Sequence, residues 1–368
     1  MAYQITTVPV DVLRGFIAGI FAAAGCEAGE AGQVSHHLLS ANLTGHDSHG
    51  VIRTPRYIQW LREGKVRAGQ TLTVAHETPT QAILDGNYGF GQTIGPLAVD
   101  FGIAKAKQAG MCAIGLRNSG HIGRIGDWGE RAAEAGLISI HFVNVQAGEL
   151  VAPYGGVDRR FSTNPICIGV PTRDGPIILD FATSLVAEGK VLVASNGGKQ
   201  VPHGALIEPD GTLTSDPRTL YGPIEGHHVR DSAKGAGALR TFGEHKGSGL
   251  AFMCEMLAGC LTGGGTSGPI PGGKRGRIAN GMLSIYLSPG GFGTSGFEGA
   301  AREYALYVKA SRPAEAGTEV LIPGEPESRT RIDRLANGIP LQPETWAAIC
   351  ATARDLGLTP PAVPTPNA

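Results

Sequence analysis

No stretch of this 368-residue chain reaches the ~18 consecutive apolar residues that a membrane-spanning helix requires. The apolar run near the start, Phe16-Ile17-Ala18-Gly19-Ile20-Phe21-Ala22-Ala23-Ala24, follows Asp11 and a single Arg14. It lacks the basic segment of a signal peptide, and its period suits an amphipathic helix. Charge is also scarce, at 17% of residues against a typical ~25%. The 31 Lys and Arg balance 32 Asp and Glu, so nothing in the net charge of −1 points to nucleic acid or an anionic membrane. The six cysteines are scattered with no C-x-x-C pair, and they read as reduced, buried thiols of a reducing, cytoplasmic compartment. Glycine is the residue in surplus. Its 56 positions are about 15% of the chain, roughly double the usual share, and imply many tight turns and close backbone approaches, as around a ligand.

The pattern of apolar residues predicts an α/β protein. Asp11 starts a helix running to about Gly25, Ala31 to Leu43 makes a second, and Thr54 to Glu63 a third. From about residue 72, short β-like runs alternate with alanine-rich helical ones. Strands are expected at Ala82-Ile83-Leu84-Asp85-Gly86, Cys112 to Leu116, Leu137 to Val145, 166–170 and 176–181. Helices are expected from Leu97 to Ala109 and from Trp128 to Ala135, each ended by a glycine. Glycine-rich 263–281 and 289–299 read as loops flanking a strand from Met282 to Leu287. A further strand at 319–323, a helix over 343–357 and an extended proline-rich arm over 360–366 complete the chain. The division expected is a helical unit of residues 1–75 joined by 310–368, and an α/β unit of residues 76–309.

Gly45-His46-Asp47-Ser48-His49-Gly50-Val51-Ile52-Arg53 gathers two histidines, an acid, a hydroxyl and an arginine at a helix end. Read by itself it supports a metal site on His46 and His49, a polar turn satisfying its own backbone, or an acid/base site. In the last, His49 moves a proton, Ser48 orients it and Arg53 forks onto a carboxylate. A second cluster, Arg117-Asn118-Ser119-Gly120-His121-Ile122-Gly123, follows a strand, where α/β sheets place ligands. Gly89-Phe90-Gly91-Gln92-Thr93-Ile94-Gly95 is one residue too long for a G-x-G-x-x-G dinucleotide fingerprint, and neither a Walker A motif nor a G-x-S-x-G elbow is present. Glu244-His245-Lys246-Gly247-Ser248-Gly249 resembles a phosphate-facing turn at a helix start.

Taken in order, Gly45-x-Asp47-Ser48-His49-Gly50-Val51-x-Arg53, Asn118-x-x-His121, Thr163-Asn164-Pro165, Leu179-Asp180-x-x-Thr183-Ser184, Thr214-x-Asp216-Pro217 and Lys246-Gly247-x-Gly249-Leu250 resemble the malate/L-lactate dehydrogenase-like family. That family includes sulfolactate and ureidoglycolate dehydrogenases, diketogulonate reductase and piperideine-2-carboxylate reductase. The resemblance spans residues 8 to 357. It implies a non-Rossmann nicotinamide-binding sheet domain beside a separate, mainly helical domain, a homodimer, and an NAD- or NADP-dependent oxidoreductase with no metal. The implied substrate is a small 2-hydroxy or 2-oxo carboxylic acid, malate-, lactate- or sulfolactate-like. Reduction of a cyclic imino acid is the alternative within the family, and a metal-dependent lyase or hydrolase using the 46–49 histidines is the alternative outside it. The implied coenzyme contacts are Pro176, Ile177, Ile178, Leu179, Asp180, Phe181, Ala182 and Thr183, then His245 and Lys246, then Gly324, Glu325 and Pro326. His49, Ser48, Arg53 and His121 are the implied catalytic residues, and Arg53, Thr163 and Asn164 the substrate contacts. Val145 departs from the pattern, standing where relatives often carry a hydroxyl residue.

Overall fold

A computed structural model describes residues 5–197, 200–224, 230–270, 277 and 279–362. Its helices are α1 (Val10–Ala23), α2 (Ala28–Leu43), α3 (Thr54–Arg62), α4 (Gly91–Ala109), α5 (Gly126–Glu134), α6 (Glu188–Ser195), α7 (Arg218–Tyr221), α8 (His245–Cys254), α9 (Phe297–Lys309), α10 (Glu325–Asn337) and α11 (Pro343–Asp355). The strands are β1 (Thr6–Val8), β2 (Thr73–Glu77), β3 (Gln81–Asp85), β4 (Met111–Ser119), β5 (Ile138–Gln146), β6 (Ile166–Val170) and β7 (Ile177–Phe181). They continue with β8 (Leu206–Ile207), β9 (Leu213–Thr214), β10 (Ala238–Leu239), β11 (Ala279–Leu287) and β12 (Ile339–Leu341).

The architecture is mixed α/β. A seven-stranded sheet runs in the order β2-β3-β4-β11-β5-β6-β7, and the late strand β11 inserts between β4 and β5. Among the described pairings of this sheet, β3–β4 is parallel and the others antiparallel. Small-residue helix faces cover it. A Cβ at Gly95 would lie 2.6 Å from the Trp128 ring, and one at Gly102 would lie 2.2 Å from that of Tyr286. Overpacking of that kind typically costs about 1–3 kcal/mol, so these glycines serve close packing. One apolar cluster joins α1–α3 to β12 and α11 from the far end of the chain. A second lies on the large sheet, and a third sits beneath β8 and β10.

Several expected boundaries move, for physical reasons. Helix α4 begins at Gly91, because Gly91 and Gly95 are helical residues chosen for contact and not a turn preceding a helix at Leu97. Pro9 takes the first helix's N-cap position, and Asp11 falls in the first turn, where its charge favours the helix dipole. Residues 319–323 form no strand. The Ile322 N–H donates to Glu325 Oε2 at 3.0 Å and its carbonyl accepts the Glu325 N–H at 3.2 Å, so the segment turns into α10 instead of joining a ladder. Strand β11 starts at Ala279, inside the expected loop, paired on both sides. Much of 289–299 is ordered as a 3₁₀ turn, Pro289–Phe292, and the start of α9. Residues 271–276 and 278 of the other glycine-rich stretch, and 363–366 of the arm, lie outside the described residues. No helix among the described residues is long and apolar enough to cross a membrane.

Candidate active site

After α2 the chain reverses at Gly45 (φ +81°) and makes two 3₁₀ turns, Asp47–His49 and Val51–Arg53, before entering α3. Buried Asn42 organises both turns. Its Oδ1 accepts the Val51 N–H at 2.8 Å, and its Nδ2 donates to Asp47 Oδ1 at 2.6 Å. Arg334 of α10 grips the same carboxylate through Nη1 at 2.6 Å and Nη2 at 3.0 Å. A Cβ at Gly50 would strike the Asn42 amide at 2.2 Å. Asp47 and Gly50 are thus framework. His46 turns away from the cleft to Glu327, 3.2 Å distant, while His49 and Arg53 face inward. The two histidines of the motif therefore do not converge, and no group of three His, Cys, Asp or Glu side chains among the described residues is arranged to hold a metal ion. Ser48 contributes differently than expected. Its side chain packs where Gly189 presents bare backbone, and its carbonyl, not its hydroxyl, does the orienting by accepting Arg53 Nε at 2.6 Å.

The opposite wall is the end of β4. Asp85 accepts from Arg117 Nε at 3.0 Å and Asn118 Nδ2 at 2.9 Å, and Asn280 Oδ1 accepts the Ile122 N–H at 2.9 Å. Gly91 lies against the His121 carbonyl, where a Cβ would come within 2.3 Å of the oxygen. Within the 89–95 stretch, Gly91 thus serves the loop that carries His121, while Gly95 packs on Trp128 and Gly89 on Gln70 and Ile94. The rings of His49 and His121 stack at 5.3 Å with an interplanar angle of 11°. His121 Nδ1 is 2.5 Å from the Tyr57 hydroxyl of α3, and His49 Nδ1 is buried without a hydrogen-bond partner.

His49, Arg53 and His121 line a cleft of about 550 Å³ together with Val145, Thr163 and Glu188. Glu188, at the start of α6, receives Arg53 Nη2 at 2.8 Å and the Tyr221 hydroxyl at 2.5 Å. Burial alone would raise the Glu188 carboxyl, but the Arg53 charge and the Tyr221 hydrogen bond outweigh it and hold the acid below its usual range. Burial likewise opposes the charge on Arg53, and Glu188 more than compensates. Neither histidine has such a partner. Burial first, then the neighbouring His121 and Arg53, depress His49 well below the usual imidazole value, while burial and Arg53 bring His121 down to about 3. Near neutral pH both rings are uncharged beside a charged guanidinium.

The three expected coenzyme segments come together around β7. A Cβ at Gly324 would lie 3.2 Å from the Ile178 nitrogen, and Gly247 of α8 abuts the Thr183 and Phe242 carbonyls. The Thr183 N–H and hydroxyl both donate to the Thr163 carbonyl, at 2.9 and 3.0 Å, tying this face to the cleft. Within the segments, Pro176 and Leu179 are exposed, Ile178 and Thr183 are buried, and Ile177, Phe181 and Ala182 are partly exposed. Asp180 Oδ2 accepts the Gly126 N–H at 2.8 Å, capping α5 beside the almost wholly buried Arg124. Glu325 pairs with Lys309 and accepts the Ile322 N–H ahead of α10, and Pro326 stands in that helix's first turn. The N–H groups of Lys246 and Gly247 already donate to Gly243 and Phe242, so backbone donors do not converge there as the sequence suggested. What the helix start offers is the exposed Lys246 ammonium beside His245. Asn164 does not reach the cleft. It is fully buried, and its Nδ2 donates to Glu255 at 2.8 Å and the Ala251 carbonyl at 3.1 Å. Sequence reasoning missed Tyr57, Gln92, Glu188 and Tyr221. Gln92 lies inside the 89–95 glycine stretch, and Tyr57, Glu188 and Tyr221 each lie four residues beyond a recognised motif, so proximity to a motif was the one signal available.

Residues 8–350 match the malate/L-lactate dehydrogenase family. Hydroxycarboxylate dehydrogenase B of Escherichia coli K12 is 41% identical over 351 residues, covering 95% of this chain and 94% of that protein. The Δ1-pyrroline-2-carboxylate/Δ1-piperideine-2-carboxylate reductase of Pseudomonas putida is 34% identical over 312 residues, 83% of this chain and 86% of the relative. The solved malate dehydrogenase structure from Pyrococcus horikoshii superposes with a TM-score of 0.84 at 29% identity, covering 97% of each chain.

Proposed function

The chain belongs to the malate/L-lactate dehydrogenase family, and from that premise we propose that it transfers a hydride between NAD or NADP and a small 2-hydroxy or 2-oxo carboxylic acid. The observation that carries this reading is the grouping of Arg53, His49 and His121 in one cleft. The planar Arg53 guanidinium, aimed by the Ser48 carbonyl and Glu188, takes the substrate carboxylate. Its ion pair with Glu188 keeps the fork in place, and the Glu188 charge disfavours substrates bearing a second anion at that point. Thr163 lines the cleft on the substrate side, with Asn164 behind it as support. His49 carries the proton that the reacting oxygen gains or loses. A bound oxo acid adds negative charge beside Arg53, which raises the His49 proton affinity and forms the acid when it is needed.

The residues present fit a nicotinamide coenzyme. Gly324 and Gly247 let their segments pack tightly on residues 178 and 183, which gathers the three segments, and exposed Lys246 supplies the charge that coenzyme phosphates attract. When bound, the coenzyme supplies or accepts the hydride. Residues 176–183, 245–246 and 324–326 would hold it against a mixed, non-Rossmann sheet. We assign residues 76–309 to this coenzyme-binding unit and 1–75 with 310–368 to a helical unit, a division supported by the apolar cluster that joins α1–α3 to α11. Exposed Tyr304, Tyr307 and Ile332, at 69, 76 and 70%, support a homodimer.

Reduction of a cyclic imino acid is the second reading. It needs no proton on oxygen, which suits two neutral imidazoles, and ionised Glu188 would favour an iminium cation. A panel of 2-oxo acids and cyclic imino acids against NADH and NADPH tests both. Turnover of 2-oxo acids supports the first, turnover of imino acids alone replaces it with the second, and turnover of neither overturns both.

A further inference from the structure

Tyr57 and Gln92 form a hydrogen-bond arrangement with His121 whose direction is determined. Gln92 Nε2 lies 3.1 Å from the His121 carbonyl oxygen and 3.1 Å from the Tyr57 hydroxyl. A carbonyl only accepts, so the Gln92 amide must present its NH₂ group there. Turned over, it would set oxygen against oxygen and leave the NH₂ in the buried position where Oε1 now has no partner. The Tyr57 oxygen therefore accepts from Gln92, and its own proton points at the remaining neighbour, His121 Nδ1, 2.5 Å away.

We infer that Tyr57 and Gln92 hold His121 in its Nε2–H tautomer, making it a fixed hydrogen-bond donor into the cleft and leaving the proton-carrying role to His49. With Nδ1 occupied as an acceptor, the proton of the neutral ring sits on Nε2, which bonds no other group among the described residues. Such a nitrogen cannot accept a proton from a hydroxy acid. It can donate a hydrogen bond to the reacting oxygen as negative charge develops there, as preorganised neutral donors do. Burial agrees with this assignment, since it pushes Tyr57 up to about 12, so the phenol keeps its proton, and His121 down to about 3, so Nδ1 keeps its lone pair. His49 has no partner at Nδ1 to lock its tautomer, and so is free to gain and lose a proton. Tyr57 and Gln92 act through His121 and are positioning residues. The identity of the donor's target as a substrate oxygen rests on the proposed function; the tautomer itself does not.

Nitrogen-15 NMR of histidine-labelled full-length protein, with His121 assigned by the loss of its signals in His121→Gln, reads the tautomer directly. The expected result between pH 6 and 9 (about the neutral range of both rings) is a protonated Nε2 and a bare Nδ1. In Tyr57→Phe the bare Nδ1 should gain proton occupancy, and kcat should fall about tenfold, less than the full loss of an oxyanion donor. Coenzyme affinity should not change. Gln92→Leu keeps the phenol but frees its lone pair, so it should also mix the tautomers. A wild-type His121 protonated at Nδ1 overturns the inference whatever the variants do, as does an unchanged tautomer in both variants. A locked Nε2–H ring in a protein that reduces none of the panel substrates would leave the lock standing and remove the proposed function.

Discussion

His49 stands on the helical wall of the cleft, on a turn pinned by Asn42 and Arg334, while His121 stands on the sheet wall, clamped against Gly91 and bonded to Tyr57. Both rings are half-buried, both face Arg53, and desolvation with the Arg53 charge lowers the proton affinity of each. Their chemistry is separated by hydrogen bonding and not by burial. One ring has its tautomer imposed by a phenol and an amide, and the other has no partner at Nδ1. On the proposed roles, His121 would act as a fixed donor and His49 as the proton carrier.

The sharpest way to break the comparison is to remove each ring in turn. His49→Asn should lower kcat by ~10²–10⁴, the range for losing a general acid/base, with coenzyme affinity unchanged. His121→Asn should cost less and act partly through KM. The reverse ranking in steady-state kinetics would exchange the two roles.

Arg53 faces both walls: its charge depresses both rings, and in the proposed function its fork would receive the carboxylate. Arg53→Lys keeps the charge and loses the planar fork. The KM for the acid should rise about 10- to 100-fold, the equivalent of a charge-assisted hydrogen bond, while the coenzyme KM stays constant. Equal use of carboxylate and carboxamide substrates by the parent enzyme would show that Arg53 has another task.

The pH dependence tests whether His49 is neutral in the free enzyme. Its folded value lies below the ordinary 6.5, so above that pH the protonated fraction falls about tenfold per unit. Reduction draws on this fraction, so kcat/KM for the oxo acid should decline with slope −1 from about pH 6.5 to 9, whereas oxidation of the hydroxy acid, which needs the neutral ring, should be flat. A plateau in the reduction profile up to about pH 7.5 would mean that the ring is not depressed.

The smallest expected effect lies outside the comparison and calibrates it. Lys246→Ala removes an exposed ammonium at the α8 start, so coenzyme Kd should rise by only about 2- to 5-fold, with kcat unchanged, because exposed charges are screened. Unchanged binding of both NADH and NADPH, measured by fluorescence titration, would remove Lys246 from the coenzyme site.

Periodicity made most helices and central strands legible, because apolar spacing reports which face is buried. The 45–53 and 117–123 clusters stood out because they concentrate reactive side chains in short segments. The order of the motifs then carried the family. Glycine was harder to read. Gly91, Gly95 and Gly102 look like turn residues in a linear chain, yet each lies within α4 at a point where another chain segment or ring approaches. Strand pairing was equally hidden, since β11 reaches its place between β4 and β5 from more than a hundred residues away.

The sequence by itself determined the alternation of elements, the absence of a membrane-spanning helix, the family and the two histidine clusters, all properties of local composition and spacing. Tertiary structure alone decided that Asp47 and His46 serve the framework while His49 faces the cleft, and that Glu188 meets Arg53 across 135 positions of chain. It also brought Tyr57 to His121 across 64. Protonation state and tautomer follow from which groups are desolvated together and which donors remain, and those neighbours are chosen only when the chain folds.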